Sequence, residues 1–264
     1  KVGQQGLGCL AQTSVGPERA QHIIQLYREA IKDPQPATQV VYDKVAGNTV
    51  GLCAENRQKA QERGAELVAT RTAWLLARML VLDQEELPSA AQVAWWRKCG
   101  MAPDILARRE RERPFTFSDC VWPMPVGFRR IREGETISIG GRDWDIHVGN
   151  GHAPEHATLW SRSDNLVLAG DQILSPISSN IGVYAPEPEA DPVGEWLESC
   201  ERLAEIAQTD HLVLGGHKLP FTGLPFRMAQ LIDNHHGALN RLHAHLAEPK
   251  SAGDCFPPLF KRSI

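Results

Sequence analysis

Three short apolar segments of the chain each lead through glycine into a histidine or an aspartate. The segments span 148–152, 168–171 and 214–217, and they end in His152, Asp171 and His217. Short apolar runs predict strands and glycine allows a sharp turn, so each polar side chain is expected in a loop just beyond a strand end. Imidazole and carboxylate are ligands that suit Zn²⁺, Fe or Mn²⁺. One such histidine is usually structural, but the threefold repetition predicts a metal-binding active site.

The rest of the chain alternates between strand and helix patterns. This alternation implies an α/β fold with helices outside the sheets. Two β-rich halves with outer helices are typical of a four-layered αββα sandwich, although periodicity alone leaves other α/β folds open. Strands are predicted at 7–11, 40–42, 66–69, 136–139, 143–148, 158–161, 166–169 and 211–214, a turn at 46–48, and helices at 17–32, 70–82, 89–99, 191–208 and 225–248.

Composition excludes several classes of partner. The 264 residues carry 28 Lys+Arg against 32 Asp+Glu, a net charge of -4 without a basic cluster, which argues against nucleic acid. No apolar run approaches the roughly 20 residues that span a bilayer, so we expect no membrane partner. The six cysteines form no C-x-x-C pair and no export signal is visible, which favours reduced thiols and a cytoplasmic location.

The three segments resemble the motifs of the metallo-β-lactamase-fold hydrolases, and most closely those of the glyoxalase-II-like branch with a helical carboxy-terminal extension. The resemblance covers roughly residues 64–264. It implies a four-layered αββα domain over 1–224 and a helical extension over 225–264. It also implies a pair of metal ions, with His152 on one, Asp171 bridging both and His217 on the other. The matching residues are Gly151-His152-Ala153-Pro154-Glu155-His156, Ala169-Gly170-Asp171, Gly215-Gly216-His217, Asp191-Pro192, Phe226-Arg227, His235-His236 and Leu259-Phe260.

The amino-terminal part departs from the family pattern. The family's His-x-His-x-Asp-His motif, aligned without gaps, falls on Lys44, Ala46, Asn48 and Thr49, none of which is a normal metal ligand. A family Asp-Thr-Gly turn likewise falls on Gln12-Thr13-Ser14. We therefore expect Lys44, Asn48 and Thr49 to line the cavity without binding metal. The family usually has further strands before 7–11, so the amino-terminal strands are expected to be truncated.

Several interpretations remain open for the retained residues. His152, Asp171 and His217 could hold one zinc or iron ion with a water, and Asp171 is the predicted catalytic residue. Alternatively, the ammonium group of Lys44 replaces the metal charge beside Asp171. His156 is interpreted as a neighbour that supports the site.

The predicted function follows from the same resemblance. The predicted reaction is water attack on the ester, thioester or lactone carbonyl of a small molecule. A homodimer is left open. The alternative is a catalytically decayed pseudo-enzyme that serves as a binding or interaction module.

Overall fold

The computed structural model describes residues 9–12, 45–48, 67–119, 121 and 124–260, and only the backbone in the first two ranges. Strands β1 (Cys9–Gln12) and β2 (Val45–Asn48) pair in parallel. The turn predicted at 46–48 is therefore wrong. Pairing with β1 keeps these residues extended, although glycine and asparagine favour turns.

Several sequence predictions fall outside the described residues. They include the helix at 17–32, the strand at 40–42, and the roles of Lys44 and Thr49. Asn48 belongs to β2, but its side chain is not described. The three expected cavity-lining positions therefore stay predictions.

The next segment contains a second strand pair and three helices. Strand β3 (Val68–Ala69) pairs in parallel with β4 (Arg129–Arg130). Along the chain, these two strands are separated by helices α1 (Arg71–Leu82), α2 (Ala90–Lys98) and α3 (Pro103–Arg109), followed by a 3₁₀ turn at Phe117–Asp119. The Ser89 hydroxyl accepts a hydrogen bond from the Gln92 amide at 3.2 Å, which explains where α2 begins.

A mixed five-stranded sheet follows, made of β5 (Thr136–Ile139), β6 (Arg142–Gly149), β7 (His156–Ser161), β8 (Leu166–Gly170) and β9 (Leu212–Gly215). The strands lie side by side in this order. Each pair of neighbours from β5 to β8 is antiparallel, whereas β8 and β9 are parallel. Alternate residues of β6 are buried, including Trp144, Ile146 and Val148, as expected for a sheet with one covered face.

Helices α4 (Pro192–Ala204) and α5 (Leu224–His245) supply much of the core, and α6 (Phe256–Phe260) follows a 3₁₀ turn at Gly253–Cys255. Helix α4 begins where the Asp191 carboxylate accepts a hydrogen bond from the Gly194 amide at 2.9 Å. It ends four residues before the predicted boundary at 208. The fully buried core residues of these two helices and of strand β9 include Trp196, Leu203, Val213, Leu224 and Met228.

The chain divides into two units. One takes in the described residues up to 69, residues 74–84 and the described part of 115–130, and the other takes in 70–73, 85–114 and 131 onward. The division predicted between 224 and 225 stays a prediction. Within the ranges that the structure describes, no helix combines the length and apolar character needed to cross a membrane.

Candidate active site

The sheet brings the three predicted loops to one edge. Strand β6 runs antiparallel to β7, and β7 runs antiparallel to β8, so β6 and β8 point in the same direction. Strand β9 is parallel to β8, with Gly170 opposite Gly215. The carboxyl ends of β6, β8 and β9 therefore lie at the same edge, which is where ligands commonly bind in α/β folds.

Asp171 lies between the two predicted histidines. Its Oδ2 atom is 3.2 Å from His217 Nε2 and 3.6 Å from His152 Nε2. The three side chains are 26 %, 31 % and 23 % exposed, respectively, so a solute can reach them. The structure thus brings together the three residues that the repeated sequence pattern singled out.

Glycine is required before two of these residues. Gly151 has φ +89°, and a Cβ atom there would lie 2.3 Å from the Pro192 carbonyl oxygen. Gly170 has φ +53°, and a Cβ atom would lie 2.5 Å from His156 Nε2. A side chain at either position would both strain the backbone and collide with a neighbour. This is the physical reason for glycine in the first two segments.

The position of His152 is fixed by a backbone carbonyl. His152 Nδ1 lies 2.8 Å from the Asn180 carbonyl oxygen, and a carbonyl only accepts, so Nδ1 carries the hydrogen. Nε2 is therefore left to face the Asp171 carboxylate, 3.6 Å from Oδ2. A metal ion bound between the two atoms would satisfy this geometry.

His156 is neutral at physiological pH. Burial of its ring, followed by the charge of the neighbouring His152, lowers the pKa of His156 from 6.5 to about 4, and Asp171 opposes the shift. Its ring centroid lies 5.8 Å from that of His152. An uncharged ring here adds no positive charge beside the pair formed by His152 and Asp171, which agrees with a supporting role.

The donor atoms around Asp171 are of the right chemical type for a zinc or iron ion. Asp171 Oδ1 is buried and has no hydrogen-bond partner among the described residues, so this oxygen could accept a cation or a water. Within the described ranges, however, no group of three or more His, Cys, Asp or Glu side chains is arranged to hold a metal ion. The described residues therefore supply suitable donor pairs, and the metal roles of His152, Asp171 and His217 stay predictions.

Sequence reasoning missed the residues that hold this site in place. Ser179 donates a hydrogen bond from Oγ to the Asp171 carbonyl at 2.5 Å. Asn180 orients His152 through its backbone, which no side-chain pattern can reveal. Glu155 lies within the recognised motif, but its contacts to α1 depend on residues far away in sequence. Its position directly after a proline and before His156 was the one available signal.

Comparisons with known proteins agree with this architecture. No protein-family model matches the chain. A curated Bacillus subtilis protein named "Probable metallo-hydrolase YqjP" is 26 % identical over 144 residues, which are 52 % of this chain and 44 % of that protein. The chain thus spans less than half the length of this relative.

The crystal structures that are similar to the chain include the following two. A β-lactamase domain protein from Burkholderia ambifaria aligns with a TM-score of 0.64 and 33 % identity, over 75 % of this chain and 54 % of that one. A metallo-β-lactamase family protein from Thermus thermophilus aligns with a TM-score of 0.64 and 23 % identity, over 94 % of this chain and 77 % of that one.

Proposed function

The chain is a member of the metallo-β-lactamase superfamily with the fold of that group, and on this basis we propose that it is a hydrolase centred on Asp171. The observation that carries the proposal is the approach of two imidazole nitrogens to one carboxylate oxygen, while the other oxygen has no partner among the described residues. Histidine and aspartate side chains gathered at a partly exposed sheet edge are typical of a reaction site. The reaction proposed is water attack on an ester, thioester or lactone carbonyl.

The ligands proposed for a metal ion are His152, Asp171 and His217. A bound zinc or iron ion would supply a water that ionises near neutral pH and would polarise the carbonyl under attack. The Asn180 carbonyl keeps His152 Nε2 directed at Asp171, so this nitrogen is prepared for ligation before any ion arrives.

Asp171 is the residue proposed to position the attacking water. The Asp171 side chain is 26 % exposed, so its carboxylate can accept a hydrogen bond from the water and take up a proton as the water oxygen attacks the carbonyl. The Ser179 hydroxyl holds the Asp171 backbone, and His217 holds the carboxylate from the other side. The carboxylate is therefore fixed in orientation before substrate binds.

The substrate is proposed to be a small molecule. Its acyl and leaving groups are not specified by the described residues. The cytoplasmic location and the homodimer stay proposals as well.

The proposal is tested by hydrolysis of a panel of esters, thioesters and lactones with the purified chain. Asp171→Asn is expected to lower kcat/KM by about 100-fold or more, because the neutral amide binds a cation more weakly than a carboxylate and cannot accept a proton. Asp164→Asn is the matched control, since Asp164 is an exposed aspartate paired with Arg142 before the start of β8. Equal rates for wild type and Asp171→Asn on every hydrolysed substrate would refute the proposal.

A second candidate function is a binding module without catalysis. It is favoured by the replacement of the first metal motif by Lys44, Ala46, Asn48 and Thr49. In that case no substrate of the panel is hydrolysed, and Asp171→Asn leaves the melting temperature unchanged. Hydrolysis by wild type that is lost in Asp171→Asn excludes it.

A further inference from the structure

We propose that Glu155 is a positioning residue, whose carboxylate and strained backbone fix the loop that carries His152 to the first turn of helix α1. The inference rests on the proposed function, because it takes His152 to be a working residue of the site. It concerns how the loop is held, and can be tested in the protein without metal.

Three hydrogen bonds connect Glu155 to other residues that the structure describes. Its carboxylate Oε2 accepts from the Thr72 backbone amide at 2.8 Å, and its carbonyl accepts from the Thr70 hydroxyl at 2.8 Å. Its own amide donates to Asn150 Oδ1, also at 2.8 Å. Thr70 is only 2 % exposed, so this partner belongs to the packed interior. Glu155 therefore connects its own loop to the start of helix α1 by hydrogen bonds.

The backbone of Glu155 is held in an unfavourable conformation. Its φ is +48°, in the left-handed region that residues with a Cβ atom seldom adopt. Glycine would adopt this conformation without strain, but it has no carboxylate for the Thr72 amide. Strain of this kind persists where surrounding contacts enforce it, and it clusters at functional sites. The three hydrogen bonds supply that enforcement here.

The loop closed by Glu155 is short and contains His152. Asn150 and Glu155 are bridged across it, and the Asn150 amide donates to Ser199 Oγ of α4 at 2.9 Å. The loop is thus anchored to α4 at one end and to α1 at the other. His152 lies between these anchors, so loss of the Glu155 carboxylate should let His152 move relative to Asp171.

The closing experiment uses two variants of Glu155 and one control. Glu155→Gly removes the carboxylate and suits the left-handed backbone, so the variant is expected to fold. Glu155→Gln keeps an oxygen of the same reach for the Thr72 amide. Ser89→Ala removes a helix cap of similar strength from α2. The readouts are amide hydrogen exchange at Thr72 and the ring ¹⁵N resonances of His152, both in metal-free protein, and zinc affinity by calorimetry.

Glu155→Gly is expected to speed exchange at Thr72 by about tenfold and to shift the His152 resonances. It should also weaken zinc binding by about tenfold or more. Glu155→Gln should lie closer to wild type than Glu155→Gly in all three readouts, because it keeps an acceptor for the Thr72 amide. Ser89→Ala should lower the melting temperature without changing any of the three readouts. Faster exchange at Thr72 with unchanged His152 resonances would overturn the proposal, because Glu155 would then be only a helix cap. Absence of zinc binding by wild type would count against the proposed function, while the metal-free readouts still decide the role of Glu155.

Discussion

Individual backbone positions determine where the three polar side chains point. His152 and Asp171 both follow a glycine in the left-handed region, and Lys218, directly after His217, has φ +70°. Each predicted site residue is therefore next to a backbone conformation that turns the chain sharply at the end of its strand. This geometry allows residues from three loops to converge on one carboxylate.

Gly151→Ala tests this explanation at the residue scale. The new methyl group would overlap Pro192 and Trp196 of α4 in a strained backbone, so the free energy of unfolding should fall by about 2–4 kcal/mol. Gly134→Ala is the matched control, because Gly134 has φ +78° but nothing within 4 Å of its added Cβ. Gly134→Ala should lower the free energy of unfolding by about 1 kcal/mol, from backbone strain alone. Chemical denaturation measures the free energy of unfolding of both variants. Equal decreases in the two variants would show that close packing at Gly151 is unimportant.

At the scale of elements, the strands and helices that frame the site are predictable from local patterns. The strand at 136–139 is found with its predicted bounds, and the helices at 70–82 and 225–248 are found within three residues of theirs. Strand β7 begins two residues before the predicted 158, because Gly149 pairs with His156 and extends the ladder. Strand β2 was missed because its pairing with β1 depends on a distant segment.

His211, at the junction between α4 and β9, gives a pH prediction for this part of the fold. Burial lowers the pKa of His211, and the charge of Asp210 opposes the shift. Its Nδ1 atom accepts a hydrogen bond from the Gln208 amide at 3.0 Å, and its ring meets Trp160 edge-on. The neutral ring therefore suits the folded state.

The sign of the pH effect follows from this shift. Below the unfolded pKa of about 6.5, the unfolded chain binds a proton that the folded chain resists, so stability falls as the pH is lowered. The contribution is fully present above that pKa. Urea unfolding at pH values of about 7.5 and 5.5, on either side of that pKa, measures how far the free energy of unfolding falls as the pH is lowered. This decrease should be smaller for His211→Asn than for wild type. Identical losses would show that His211 does not contribute.

At the scale of the whole molecule, the predicted superfamily and fold are confirmed by the comparisons. The three repeated segments were sufficient to predict which residues meet at the sheet edge. The sequence could not reveal the supporting contacts, because the Asn180 carbonyl, the Ser179 hydroxyl and the Thr72 amide become partners only through the tertiary fold. The sequence shows which side chains could take part in chemistry, but it does not show which backbone groups will hold them in place.

We propose that His152, Asp171 and His217 form one cation-binding site in a hydrolase. Zinc titration by calorimetry into chelator-treated wild type, Asp171→Asn and the control Asp164→Asn tests this proposal. Wild type and Asp164→Asn are expected to bind a single zinc ion, and Asp171→Asn is expected to lose affinity by about tenfold or more. Zinc binding that is unchanged in Asp171→Asn, or absent in wild type, would contradict it.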